Sequence, residues 1–234
     1  KNTKDEIINT GRKLYELRLV AARSGNLSAR VDENIIFVTR GGVSLGELSY
    51  DDIIKVDLSK EEDCRNEKLT SEFPLHSLIY RNFSNKVIIH CHPTLANAYF
   101  AVCPELKTLT FETKLYLGDV PVLGQDTPSI TRPELVTDAL KISNLVVIRN
   151  HGVVSVADKF IDALYLIETL EEAVKTASVA RLFKKDVMDA LDRELKESFI
   201  QDNAFLMFSQ GHIQAIVDLV NQDDFIAKKG QEQD

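Results

Sequence analysis

The runs KVIIHCH (86–92) and NLVVIRNHG (144–152) constrain this chain more than anything else in it. Each is a short β-branched apolar stretch with the pattern of a buried strand, and each ends at histidine. Side chains alternate between faces along a strand, so His90 and His92 share one face while Cys91 turns to the other. Two imidazoles so placed suit one metal ion. His151, where Gly152 lets the backbone turn sharply, offers a third ligand. Three histidines leave a coordination position open, which distinguishes a catalytic zinc site from a closed structural one. A lone histidine is more often an ordinary hydrogen-bonded residue, and His76 and His212 are read that way. The HxH strand joined to a distant strand-end HG is what points to metal.

A carboxylate accompanies the histidines. In TSEFPLH, Thr70 or Ser71 can cap a helix whose first turn tolerates Pro74. Glu72 then sits at the positive end of that helix, beside exposed N–H groups and two hydroxyls, as a base would beside a bound phosphate. Alone, the segment reads first as a capping sequence with an ordinary acidic first turn. The histidines tip the balance. Two glycine-containing loops, SGNLS (24–28) and TRGGVSLG (39–46), bring backbone N–H groups together as anion-binding loops do, although neither has Walker or dinucleotide spacing.

Composition narrows the partners. The 234 residues can bury one sizeable core, and their net charge of -8 excludes the counterion-release gain on which nucleic-acid and membrane-surface binders rely. Cys64, Cys91 and Cys103 are odd in number and lack CxxC spacing, which indicates reduced thiols in a cytoplasmic protein. No apolar stretch approaches the roughly 20 residues of a membrane span, and KNTKDEIINT has no signal-peptide core.

Helical spacing of apolar residues predicts a helix over 3–23, stopping near Ser24-Gly25. Three strand patterns, NLSARV, NIIFVTR and DIIKVDL, predict an antiparallel meander over 26–57. Further helices are expected at 71–83, 93–102 and 132–142, strands at 86–92 and 145–150, and a solvated loop at 59–68. Helices run from about 157 onwards. The expectation is an α/β fold: a single α/β/α layered domain over 1–234 with a central, largely antiparallel sheet, a core at about 5–185 and C-terminal helices at about 186–223.

GNLSAR (25–30), VTRGG (38–42), SEFPLH (71–76), HCHP (90–93) and NHG (150–152) occur in an order that resembles the class II aldolase/adducin family, over roughly residues 5 to 185. The likeness is strongest to its sugar-phosphate aldolases. That resemblance implies a lyase cleaving a phosphoketose such as L-fuculose 1-phosphate to dihydroxyacetone phosphate and a small aldehyde. It implies one Zn2+ or another divalent transition metal per subunit, a phosphorylated sugar as substrate, and a homo-oligomer, usually a tetramer. It makes His90, His92 and His151 the metal ligands and Glu72 the acid/base, with Glu72 able to fill the fourth position before substrate binds. Asn26, Gly41, Gly42, Thr70 and Ser71 fall at its phosphate site, where Gly41 replaces a hydroxyl residue and Arg40 can compensate. Tyr116 is the candidate proton donor to the aldehyde. A ribulose-5-phosphate 4-epimerase and a methylthioribulose-phosphate dehydratase are alternatives on the same site; Thr113 stands where epimerases carry an acid, with Glu112 adjacent. An adducin-like interaction module is the non-enzyme alternative, disfavoured by the retained histidines.

Overall fold

The computed structural model describes residues 2–183. The chain divides into two compact units, Lys1–Ala173 and Val174–Asp234. The first carries the candidate site. Of the second, only the continuation of the last helix is described; the helices expected at about 186–223, and His212, lie outside the described residues.

In chain order, α1 (Thr3–Glu16) leads into β1 (Asn26–Arg30), β2 (Ile35–Thr39) and β3 (Ile53–Asp57). The one-turn α2 (Glu61–Cys64) and α3 (Phe73–Asn82) precede β4 (Val87–Cys91), which is followed by α4 (Thr94–Val102) and α5 (Phe111–Leu117). The remainder is β5 (Val122–Leu123), α6 (Pro133–Leu140), β6 (Leu145–Ile148), β7 (Gly152–Ala157) and α7 (Phe160–Leu182). The strands form one sheet in the order β3-β2-β1-β4-β7-β6-β5. Among the described residues only β5 and β6 pair in parallel, so the sheet is largely antiparallel, as expected.

Every residue of β4 and β6 is buried, which requires cover on both faces of the sheet. On one face Ile36, Val38, Val56, Ile88, Val146, Ile148, Val154 and Val156 pack with Phe73, Leu75 and Ile79 of α3 and Val136 and Leu140 of α6. Residues of the opposite parity, among them Leu27, Ile89, Cys91 and Val153, are equally buried. The first face is interrupted by a polar strip. Asn26 lies opposite His90 and Ser28 opposite Ile88, and directly paired side chains project to the same side, so Asn26, Ser28 and His90 all face α3.

Several boundaries differ from expectation. Helix α1 ends at Glu16, not near Ser24, because Arg18 adopts a left-handed conformation (φ 58°) and the Leu19 and Arg18 N–H groups bond back to Leu14 and Tyr15. This is a Schellman termination with arginine where glycine is usual, so nothing in the residue types announced it. Segment 59–68 contains the helical turn α2. Helix α5 and strands β5 and β7 were not anticipated; β7 follows its turn so closely that its glycine read as part of the turn.

Candidate active site

The end of β4 and the turn between β6 and β7 bring three histidines together. His90 lies within β4, His92 just past its end, and His151 in the turn, where Asn150 supplies the left-handed residue (φ 59°). Gly152 therefore does not make the sharp turn expected of it. Its lack of a side chain serves close approach instead: a Cβ there would collide with the Cys91 carbonyl oxygen and sit 2.7 Å from the His92 ring. Ring centroids of the three imidazoles are 4.8–4.9 Å apart pairwise, and their candidate ligand atoms lie within 4.8 Å of one another.

Glu72, the N-cap residue of α3, projects its carboxylate into this cluster. Its Oε1 is 2.7 Å from His151 Nε2, and its Oε2 is 2.9 Å from His90 Nε2. Neither Thr70 nor Ser71 is the cap, contrary to expectation, and no side chain caps this helix. The carboxylate is nearly enclosed. Burial pushes its pKa up, but the His90 imidazole beside it and hydrogen bonds from His151 and Asn26 outweigh that and hold it well below the usual carboxylate range.

The donor set fits a metal ion. His90 Nδ1 donates to the Val153 carbonyl at 2.9 Å, which uses the one proton of a neutral ring and turns the Nε2 lone pair toward the cluster. That lone pair then faces a carboxylate oxygen at 2.9 Å and His92 Nε2 at 3.0 Å. With the ring neutral, His90 Nε2 and the Glu72 oxygen meet with no proton between them, a repulsion that a bound cation removes. His92 is suited to the same end: burial, then His90 and His151 beside it, push its imidazolium down to about 3, so the ring stays neutral.

Backbone contacts fix the ligand-bearing segments. His92 N–H donates to the Leu19 carbonyl, which the early end of α1 brings within 3.1 Å. Asn97 donates to the His151 carbonyl at 3.2 Å, and Arg149 bonds the Phe100 and Ala101 carbonyls at the end of α4. These positioning roles were not recognised in the sequence. Only the polar arginine closing an apolar run in NLVVIRN hinted at one.

A cavity of about 600 Å³ opens beside the cluster, lined by Asn26, Gly41, Gly42, Thr70, Ser71, Glu72, His92 and His151. All five expected phosphate-site residues thus border one space with Glu72 and two of the histidines, but not as equals. Gly42, at φ 76° with open space beside it, exposes its backbone, whereas the Gly41 N–H is committed to the Lys68 carbonyl. Thr70 Oγ1 accepts from Asn26 Nδ2 and the Glu72 N–H, which leaves its own proton to point elsewhere. Asn26 is spent inside the protein, donating to Glu72 Oε2 (2.8 Å) and Thr70 (3.2 Å). Arg23, Arg40 and Lys68 also line the cavity and went unremarked there, apart from Arg40. Tyr116 is elsewhere, 60% exposed on α5 and bordering separate cavities. Thr113 is buried against Thr110, and the three cysteines are unpaired. No helix among the described residues is long and apolar enough to cross a membrane.

Comparison with known proteins agrees with this geometry. The chain is 32% identical over 184 residues to L-fuculose phosphate aldolase of Methanocaldococcus jannaschii, covering 78% of this chain and 99% of that one. It is 27% identical over 179 residues to 3-oxo-tetronate 4-phosphate decarboxylase of Haemophilus influenzae, covering 74% and 85%. The crystal structure of L-fuculose-1-phosphate aldolase from Thermus thermophilus superposes with a TM-score of 0.71 at 27% identity over 78% of this chain and 96% of the other. The profile of the Class II Aldolase and Adducin N-terminal domain matches residues 5–178, a span that includes every strand of the sheet and every residue of the histidine cluster. The chain belongs to the class II aldolase and adducin family.

Proposed function

We propose that this protein is a metal-dependent sugar-phosphate aldolase, cleaving a phosphoketose such as L-fuculose 1-phosphate to dihydroxyacetone phosphate and a small aldehyde. The observation that carries this reading is the Glu72 carboxylate, held against three converging histidines at the wall of a cavity that also offers anion donors. Nε2 atoms of His90, His92 and His151 would hold a divalent ion, Zn2+ by expectation, whose Lewis acidity would polarise the substrate carbonyl.

In the condensation direction Glu72 removes a proton from the carbon beside that carbonyl, and in cleavage it returns that proton to the carbon from which the aldehyde has departed. The electron pair of the broken C–C bond is delocalised onto the carbonyl oxygen in between. The Gly42 N–H and the hydroxyls of Thr70 and Ser71 orient the phosphate. Arg23, Arg40 and Lys68 outnumber Glu67 and Glu72 at the same wall, and that local positive balance attracts an anionic substrate to an otherwise acidic protein. Tyr116 lies outside this cavity and is exposed on α5, so as proton donor it would serve the site of a neighbouring subunit in the expected homotetramer.

The cations lining the cavity also suit a second anionic group, and the likeness to a decarboxylase of a phosphorylated 3-oxo acid favours that as the second reading. Proton NMR of dihydroxyacetone phosphate in D2O separates the two. The aldolase gives stereospecific, metal-dependent loss of one C–H signal that a chelator abolishes. No exchange by folded, zinc-loaded protein, with CO2 released from a phosphorylated 3-oxo acid, would establish the decarboxylase instead.

A further inference from the structure

We propose that His76, through Asn26, is a positioning residue for the Glu72 carboxylate. His76 lies one turn beyond Glu72 on α3 and is wholly enclosed. Its Nε2 is 2.5 Å from Asn26 Oδ1 and its Nδ1 is 2.6 Å from Ser28 Oγ, which is in turn 2.8 Å from the Tyr80 hydroxyl. These four side chains come from two elements, β1 and α3, and share the polar strip that interrupts the apolar face of the sheet.

The direction of every proton in this chain follows from its last member. An ionised carboxylate only accepts, so Asn26 must present its NH2 group to Glu72 Oε2. Its Oδ1 is thereby turned to His76, which must carry a proton on Nε2. Nδ1 of the neutral ring then accepts from Ser28, whose single proton is used, so Tyr80 donates to Ser28. The donors run one way, from Tyr80 through Ser28, His76 and Asn26 to Glu72. Reversing the amide would set Oδ1 against the carboxylate and the NH2 group against the Nε2 proton. Both contacts would be repulsive, and the second is relieved only if the ring proton moves to Nδ1 and Ser28 turns its own proton to Tyr80, so the amide cannot reverse without turning the whole chain of donors.

This matters because the other partners of the carboxylate are His90 and His151. Their Nε2 atoms are needed as lone pairs by any bound cation, whereas the Asn26 bond depends on no ligand proton. It is the contact that orients Glu72 whether or not the histidines are coordinating. The same amide also donates to Thr70, so a base and an anion-binding hydroxyl are aligned by one side chain that His76 locks.

The kinetic arm of the test rests on the proposed reaction; the spectroscopic arm does not. Zinc-loaded full-length protein is compared with His76→Leu, which fills space without a donor, and His76→Gln, whose amide NH2 replaces the Nε2 donor. For exchange of dihydroxyacetone phosphate in D2O, the leucine variant should lose about 10–100-fold in kcat, the range seen when an outer hydrogen-bond partner of a metal site is removed, with KM and metal content within about twofold. The glutamine variant should recover most of that loss. Equal rates in the two variants, or a loss confined to KM, overturn the proposal. Separately, 15N NMR of the wild-type imidazole should show the proton of His76 on Nε2 with Nδ1 bare, and a proton on Nδ1 alone overturns it. If wild-type protein shows no exchange the aldolase reading fails, and if the leucine variant does not fold the kinetic arm is lost; in either case the tautomer decides.

Discussion

Around Glu72, the side chains of Asn26, Ser28, Thr70, His76 and His90 are all buried and all hydrogen-bonded, whereas on α5 the side chains of Phe111, Leu115 and Tyr116 stand 96%, 79% and 60% exposed. One region hides polar groups and the other exposes apolar ones. The first is tolerable because each buried group has a partner; an orphan would cost about 1–3 kcal/mol. A network of that kind adds little net stability and a great deal of orientation, which a site of general acid-base chemistry requires. Isolated exposed apolar residues are ordinary, but three along a seven-residue helix make a surface suited to another protein, as the expected homo-oligomer would need.

The comparison breaks most sharply at Glu72. Glu72→Gln should keep the fold and the metal yet lower the metal-dependent exchange rate by about 10²–10⁴-fold, the usual worth of a positioned base; a rate near wild type would remove Glu72 from the chemistry. Acid should come next. Burial first of all, then the neighbouring His90, lowers the His76 pKa to about 3 while the unfolded chain has an ordinary histidine, so the unfolded state takes up this proton first as pH falls below about 6.5. Native stability should then drop by up to about 1.4 kcal/mol per pH unit between roughly 6.5 and 3 on this account, and His76→Gln should flatten that part of a denaturation profile against pH.

Gly152→Ala should lower stability by about 1–3 kcal/mol and weaken metal binding with it, since the added methyl meets the Cys91 carbonyl and the His92 ring. Gly124→Ala, with nothing within 4 Å, is the control in a thermal melt. The smallest effects belong to α5. Phe111→Ser and Leu115→Ser should change stability of the isolated chain by no more than about 0.5 kcal/mol, and a lower mass by light scattering would show that this face holds copies together.

How much of this was legible in the sequence depended on whether a property is local. The alternation in KVIIHCH placed His90 and His92 correctly because strand periodicity is a property of adjacent residues, and the three-strand meander followed from patterns and turns. Glu72 was legible only in company with the histidines. Gly152 was noticed for the wrong reason: its composition signals freedom of φ, while its use here is proximity to a strand about sixty residues earlier, which no local pattern encodes. Arg18 ends a helix in a conformation usually left to glycine. Asn26 fell in a loop-and-strand motif that suggested phosphate, yet its amide is committed to partners 44 to 50 residues away. His76 looked ordinary because a satisfied core histidine and a positioning histidine have the same residue type and burial, and differ only in what lies at the far end of their hydrogen bonds.

The bond from His90 to the Val153 carbonyl spans 63 residues of sequence and is also a rung beside the β4–β7 ladder, where His90 lies opposite Val154. Strand register and ligand orientation are therefore one variable. A one-residue slip between these strands would leave the hydrophobic content unchanged but turn the imidazole to the other side of the sheet. The centre thus has no half-built form: a chain that has paired β4 and β7 correctly possesses the donor set, and one that has not cannot gather it. An ion taken up at His90, His92 and His151 would therefore double as a proofreading step on the sheet itself.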